Sequence, residues 1–223
     1  MSFRAGKIVL LAAVFALATS VAGFASAPCG VTNQIYCQGE DGTGTLYGSQ
    51  NDTAAGGFGN YATVYDHFTL SGTVDVESFH WVGGYFNPPT QSPISAWTLT
   101  FYNDNAGIPG NAIATGFFPG NANETLLADG LYQYSVFFQS FDMSAGTYWA
   151  SVVPDLAFPP QWGWATSTDG NGAGYQCYFG SCGGVGTSFA FAVDGTPIPE
   201  PGTLVMLGTG ILGLAGTLRR RLF

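Results

Sequence analysis

Every lysine and arginine of this 223-residue chain lies close to one end: Arg4 and Lys7 at the start, Arg219, Arg220 and Arg221 at the finish. None occurs between Ile8 and Leu218. Each basic group borders an uncharged apolar run, so the ends must be solvated differently from what lies between them. An interior without a cation excludes Schiff-base lysines, P-loop lysines and arginine fingers. It carries only carboxylates, among them Asp66, Asp75, Glu77, Asp104, Asp129, Asp142 and Asp155. Such a surface repels phosphate backbones, which argues against nucleic acid as a partner.

The first end reads as a secretory signal peptide over residues 1–25. A short basic region is followed by the apolar run Ile8–Ala18 and then by small residues, with cleavage after Ala25. The other end has three parts: a proline-rich linker over 195–202, an apolar run over 203–218 and a basic tail over 219–223. As a helix, the apolar run reaches roughly 24 Å, slightly short of a ~30 Å hydrocarbon core. Snorkelling arginines extend its reach. This predicts a single transmembrane helix. The three terminal arginines place the C-terminus in the cytoplasm and the body outside. Gly208, Gly210, Gly213 and Gly216 give that helix a face of small residues.

Pro199-Glu200-Pro201, the glycine-rich apolar span and Arg219-Arg220-Arg221 stand in an order that resembles the PEP-CTERM protein-sorting signal, a tail also called an ice-binding protein C-terminal domain. The resemblance implies recognition by an exosortase, an integral membrane processing enzyme. It also implies a Gram-negative type of envelope, often one that produces exopolysaccharide, and cleavage near Pro199-Glu200-Pro201. The body would then reside at the cell surface or in the extracellular matrix. The resemblance covers the tail and does not describe the body.

Four cysteines, Cys29, Cys37, Cys177 and Cys182, lie between the two ends. In an exported, oxidising context an even count favours two disulfides. The short spacings favour Cys29–Cys37 and Cys177–Cys182. The rival pairing ties the N-terminal cysteines to the C-terminal ones. Zinc is the other use of four cysteines, but no histidine stands near either pair.

Glycine is abundant, at 33 residues, and aromatics make up 15% of the chain. Residues 26–57 are polar and glycine-rich and read as an irregular leader, with one strand around Thr45–Tyr47. From there on the pattern is short β-strands separated by Gly, Pro and Asn clusters, over 61–70, 73–86, 95–102, 112–118, 132–141, 146–153, 162–167 and 188–193. Trp97, Leu99 and Phe101 alternate with Thr98, Thr100 and Tyr102. A change of parity between Val76 and Phe79 predicts a bulge at Glu77–Ser78. The fold expected is all-β: an antiparallel β-sandwich of jelly-roll type over 58–194. The FTLSG turn, the TFYNDNAGIPG loop, the SAGTYWASV strand and the WGWATSTDGNG segment loosely resemble exported β-sandwich domains that precede PEP-CTERM tails.

The body offers little catalytic chemistry. His67 and His80 are its only histidines, and Gly180-Ser181-Cys182-Gly183 lacks the spacing of a nucleophile elbow. The expectation is therefore no enzyme and no cofactor, with a glycan-active hydrolase as the alternative if two carboxylates meet in a cleft. Asn103-Asp104-Asn105 and Asp169-Gly170-Asn171 are oxygen-rich loops that suit either a structural Ca²⁺ or plain turns. Trp162, Trp164 and Tyr175 form a candidate sugar-stacking set, against the alternative that the tryptophans fill the core. A threonine face for ice would need more than Thr98 and Thr100. The reading is a structural or adhesive envelope protein with weak glycan binding, whose partners are an exosortase, the membrane and extracellular polysaccharide.

Overall fold

The computed structural model describes residues 27–30, 33–198, 202 and 206–211. The expected signal peptide, and most of the expected span over 203–218, lie outside these residues. Met206–Ile211 is helical, and no helix among the described residues is long and apolar enough to cross a membrane.

Fifteen strands are described. In chain order they are β1 (Gln34–Gln38), β2 (Leu46–Gly48), β3 (Gln50–Asp52), β4 (Gly59–Leu70), β5 (Val74–Phe86), β6 (Ala96–Asp104), β7 (Pro109–Pro119) and β8 (Thr125–Leu126). There follow β9 (Leu131–Met143), β10 (Gly146–Leu156), β11 (Gln161–Ser167), β12 (Tyr175–Tyr178), β13 (Ser181–Gly184), β14 (Ser188–Phe189) and β15 (Phe191–Pro197). They form two sheets. The eight-stranded sheet is built on the path β1-β15-β5-β11-β14, with β2 on β11, β9 on β5 and β8 on β9. The seven-stranded sheet has the order β13-β12-β4-β3-β10-β6-β7, and β4 also pairs directly with β10.

The two sheets share one aromatic core. Trp97 of the seven-stranded sheet meets Trp81 and Trp162 of the other at ring separations of 4.8 and 4.9 Å. Phe101 meets Phe79 at 5.8 Å, and Phe68 meets Phe191 at 6.0 Å. Edge-to-face and offset rings of this kind add to the burial of apolar area. Close packing needs small residues beside the large ones. A Cβ on Gly83 would collide with the Trp162 ring, so only glycine lets that indole lie flat against β5.

The expected strands from Tyr61 onward are all present, and the bulge falls where the parity change puts it: Ser78 and Val76 pair with consecutive residues Asp194 and Gly195, leaving Glu77 as the extra residue. Three expectations need correction. Residues 26–57 are not a separate irregular leader, because β1, β2 and β3 are integral to the two sheets. The chain passes from the eight-stranded sheet to the other at Ser49, between β2 and β3. The pairing is not wholly antiparallel, since β3 runs parallel to β10. Finally, Gly195–Pro197 belong to β15 and pair with β5, so an extended linker cannot start at 195.

Candidate functional site

The short strand β3 decides the shape of the outer face of the seven-stranded sheet. Strands β4 and β10 pair from Leu70/Gly146 up to Tyr65/Ser151. Beyond that point β3 enters between them, with Asn51 beside both Asn60 and Asp155. The fork is closed by one hydroxyl: Ser49 Oγ donates to the Val152 carbonyl at 2.6 Å and accepts from the Val64 N–H at 3.2 Å. Gln50 works alongside it. Its amide donates to the Leu156 carbonyl at 2.9 Å, and its oxygen accepts from the Trp162 N–H at 2.8 Å. Buried backbone groups at the split are thereby paired, as burial demands.

On the solvent side the fork opens as a depression of about 240 Å³. Tyr65 and Tyr102 form a wall, edge to face at 5.4 Å, and Tyr175 packs on Tyr65 at 6.3 Å. The rest of the lining is mostly polar: Asn51, Asn60, Thr63, Thr98, Thr100 and Ser151, with Val153 as its one aliphatic residue and Asp155 as its only carboxylate. These groups hold one another in place. Tyr102 and Ser151 share a hydrogen bond of 3.1 Å, Asn51 donates to Asp155 at 2.8 Å, and Thr63 donates to Asn60 at 3.2 Å. Burial raises the Tyr65 phenol above its ordinary value, and Tyr102 adds to the effect. Tyr65 therefore stays neutral and able to donate. Farther along the same face Trp149 packs on His67 at 5.1 Å, and its indole N–H donates to Asp104 at 2.8 Å.

Of the stacking set expected from sequence, the structure brings only Tyr175 to this face. Trp162 and Trp164 are both 0% exposed and lie in the core, so neither can stack on a sugar. Their indole N–H groups donate inward, to the Tyr134 hydroxyl at 3.1 Å and the Ala190 carbonyl at 2.8 Å. The pairing of Tyr65 with Tyr102 has no signature in the sequence, although Tyr102 alternates with the core residues of β6, because the β3 wedge leaves no mark in the pattern. The face is no flat threonine array either, since Tyr65, Tyr102 and Trp149 interrupt it.

Both disulfides are present as expected, Cys29–Cys37 and Cys177–Cys182. The second joins β12 to β13 next to the depression. Pro199, Glu200, Pro201, Arg219, Arg220 and Arg221 lie outside the described residues. The oxygen-rich loops carry turn bonds, in which Asp104 accepts from the Gly107 N–H at 3.2 Å and Asn171 from the Ala173 N–H at 3.1 Å, and Asp169 ties its loop to the distant Gly39 N–H at 2.8 Å.

Three further polar groups stand out among the described residues. Ser78, His80 and Asp194 meet in a buried group, but Asp194 sits 2.6 Å from the same ring nitrogen, Nε2, that Ser78 approaches at 3.2 Å. A nucleophile relay needs the carboxylate on the other nitrogen. Glu124, which accepts from Tyr85 at 2.5 Å and Tyr134 at 2.9 Å, faces a depression of about 630 Å³ without an aromatic in its lining. Glu40 and Asp129 line a third depression, likewise without a ring.

The family model for the PEP-CTERM protein-sorting motif matches residues 197–221. Comparison with curated proteins and with solved structures yields no match. The matched segment begins at the last residue of β15, so the sorting signal follows directly on the strand that leaves the core. This chain is a PEP-CTERM sorting motif-containing protein: an almost wholly β body followed by a motif that implies export, exosortase processing and cell-surface targeting.

Proposed function

We propose that this protein is a non-enzymatic adhesive or structural component of the extracellular matrix, a β-sandwich that holds neutral glycan in the depression at the β3 fork. The observation that carries this reading is the make-up of that depression: tyrosine rings above a floor of amides and hydroxyls, with one carboxylate. Sugars offer a C–H face for rings and hydroxyls for amides, so both halves of the lining find partners. Hydrolysis needs two carboxylates across the sugar, and Asp155 stands alone there. A body without lysine or arginine repels anionic polymers, which favours an uncharged polysaccharide. The C-terminal apolar run anchors the chain in the membrane until exosortase acts.

The test is a titration of the full chain, in detergent, with neutral oligosaccharides, comparing the native protein with Tyr65→Ala. Loss of one stacking ring is expected to weaken binding roughly tenfold. Unchanged affinity in a folded Tyr65→Ala protein would remove the depression from the account.

A further inference from the structure

Strand β7 ends the seven-stranded sheet, and among the described residues no strand pairs with its outer side. Its eleven residues, PGNAIATGFFP, carry no charge. Proteins normally blunt such an edge, because its unpaired N–H and C=O groups invite another strand. The other open edges of this molecule are blunted. Strands β8, β13 and β14 have two, four and two residues. Strand β1 has five and is tied by the Cys29–Cys37 disulfide. Strand β9, beyond its short pairing with β8, slips register against β5 between Phe137 and Phe141 and carries Asp142.

The register of β7 on β6 defines which part of the edge is usable. Phe101 pairs with Ala114 and Tyr102 with Ala112, so Ile113 is the extra residue of a bulge. At the other end Pro119 has no N–H to give. The regular window is therefore Ala114–Phe118, with Gly116 at its centre. The Gly120 N–H donates to the Ser95 carbonyl at 2.8 Å, and the direction of the backbone groups alternates along an antiparallel strand. Phe118 and Gly116 thus bond back to Trp97 and Leu99 of β6, while Phe117 and Thr115 turn their N–H and C=O groups outward. Their side chains also meet solvent: Thr115 is exposed, and Phe117 is 61% exposed.

We propose that β7 pairs antiparallel with β7 of a second copy of this chain, about a two-fold axis at Gly116. That register uses the whole window. It sets Thr115 of each copy opposite Phe117 of the other, so the outward N–H and C=O groups of both copies find each other. Gly116 meets Gly116 at the closely spaced, non-hydrogen-bonded position, where no side chain intervenes. A second copy is the fitting occupant because the window is its own complement, and like patches close on themselves as a dimer. A body without lysine or arginine repels its copies through its carboxylates, and β7 offers contact without that repulsion. The two-fold reverses strand direction, so the C-terminal ends of β15 leave the pair at opposite ends. Such a pair joins chains held on facing surfaces. That consequence rests on the adhesive reading above, whereas the pairing itself does not depend on glycan in the fork depression.

The experiment sediments the full chain to equilibrium in density-matched detergent, beside Phe117→Glu and Thr115→Pro. The first exchange sets a carboxylate on the edge of each copy. The second removes an outward N–H without touching the ladder to β6. An unfolding midpoint near that of the native protein shows that each variant is folded. The native chain is expected to dimerise reversibly, and either exchange to weaken the dimer at least about tenfold. A native chain that stays monomeric would overturn the pairing. So would a dimer that resists either exchange, since it is then held elsewhere or by apolar contact alone. Should a variant fail to fold, Thr115→Cys combined with Phe117→Cys carries the test. The proposed register brings thiols of different copies to a Cα separation of about 5.5 Å, within disulfide reach. A covalent dimer is expected on oxidation, and its absence would overturn the register.

Discussion

Trp162 and Trp164 show how one pattern serves two ends. Two tryptophans spaced by one residue must share a face of a strand, and the sequence carries that much. Which face it is depends on what surrounds it, and here Trp97 of the opposing sheet meets Trp162, while Phe79 and Phe189 on the neighbouring strands flank Trp164. Trp164→Ala is therefore expected to cost about 3–5 kcal/mol of stability, read by chemical denaturation, with glycan affinity unchanged in the fraction that folds. A variant of native stability that loses binding would reverse the assignment. Tyr175, on a short strand with little to bury, packs against Tyr65 and Trp149 instead of entering the core. The positive φ of Phe179, 47°, is invisible to any reading by residue type, since phenylalanine is not a turn residue.

Among the elements, the long strands were legible because they alternate, and the bulge at Glu77 because it breaks alternation. The short strands β1, β2 and β3 were not. Each has three to five residues, too few for a period to register, and each is held by partners more than a hundred positions away in the chain. Their polar residues look like loop and act as stitching. Ser49 is the sharpest case, because its hydroxyl closes the fork that creates the candidate site. Ser49→Ala leaves the Val64 N–H and the Val152 carbonyl buried without that partner, an expected loss of about 1–3 kcal/mol. Because the fork shapes the depression, binding of neutral oligosaccharide should weaken with it. An unfolding midpoint equal to that of the native protein would mean that β4 and β10 rejoin without help.

Over the whole molecule, the two ends of the body have different tasks. Strand β15 leaves beside Val74, where the Ile198 N–H reaches the Thr73 carbonyl at 2.9 Å. The exposed rings of Phe58 and Phe179 sit by Gly59, at the opposite end of β4. The length of that strand, roughly 35 Å, separates the point of departure toward the sorting motif from those rings. Under the proposed function the tail holds the first end, and the fork depression on the outer face of the sheet meets polymer. The confinement of every cation to the termini made the first half of that arrangement readable from sequence, and the second half needed the register of β3 and β12. The central claim is that the tail hands the chain to exosortase after export. It is tested most directly by the intact mass of the protein from envelope fractions of cells with and without an active exosortase. The account predicts a shortened form, ending near Pro199–Pro201, where exosortase is active, and a form retaining Arg219–Arg221 where it is not. The same full-length mass in both would contradict it.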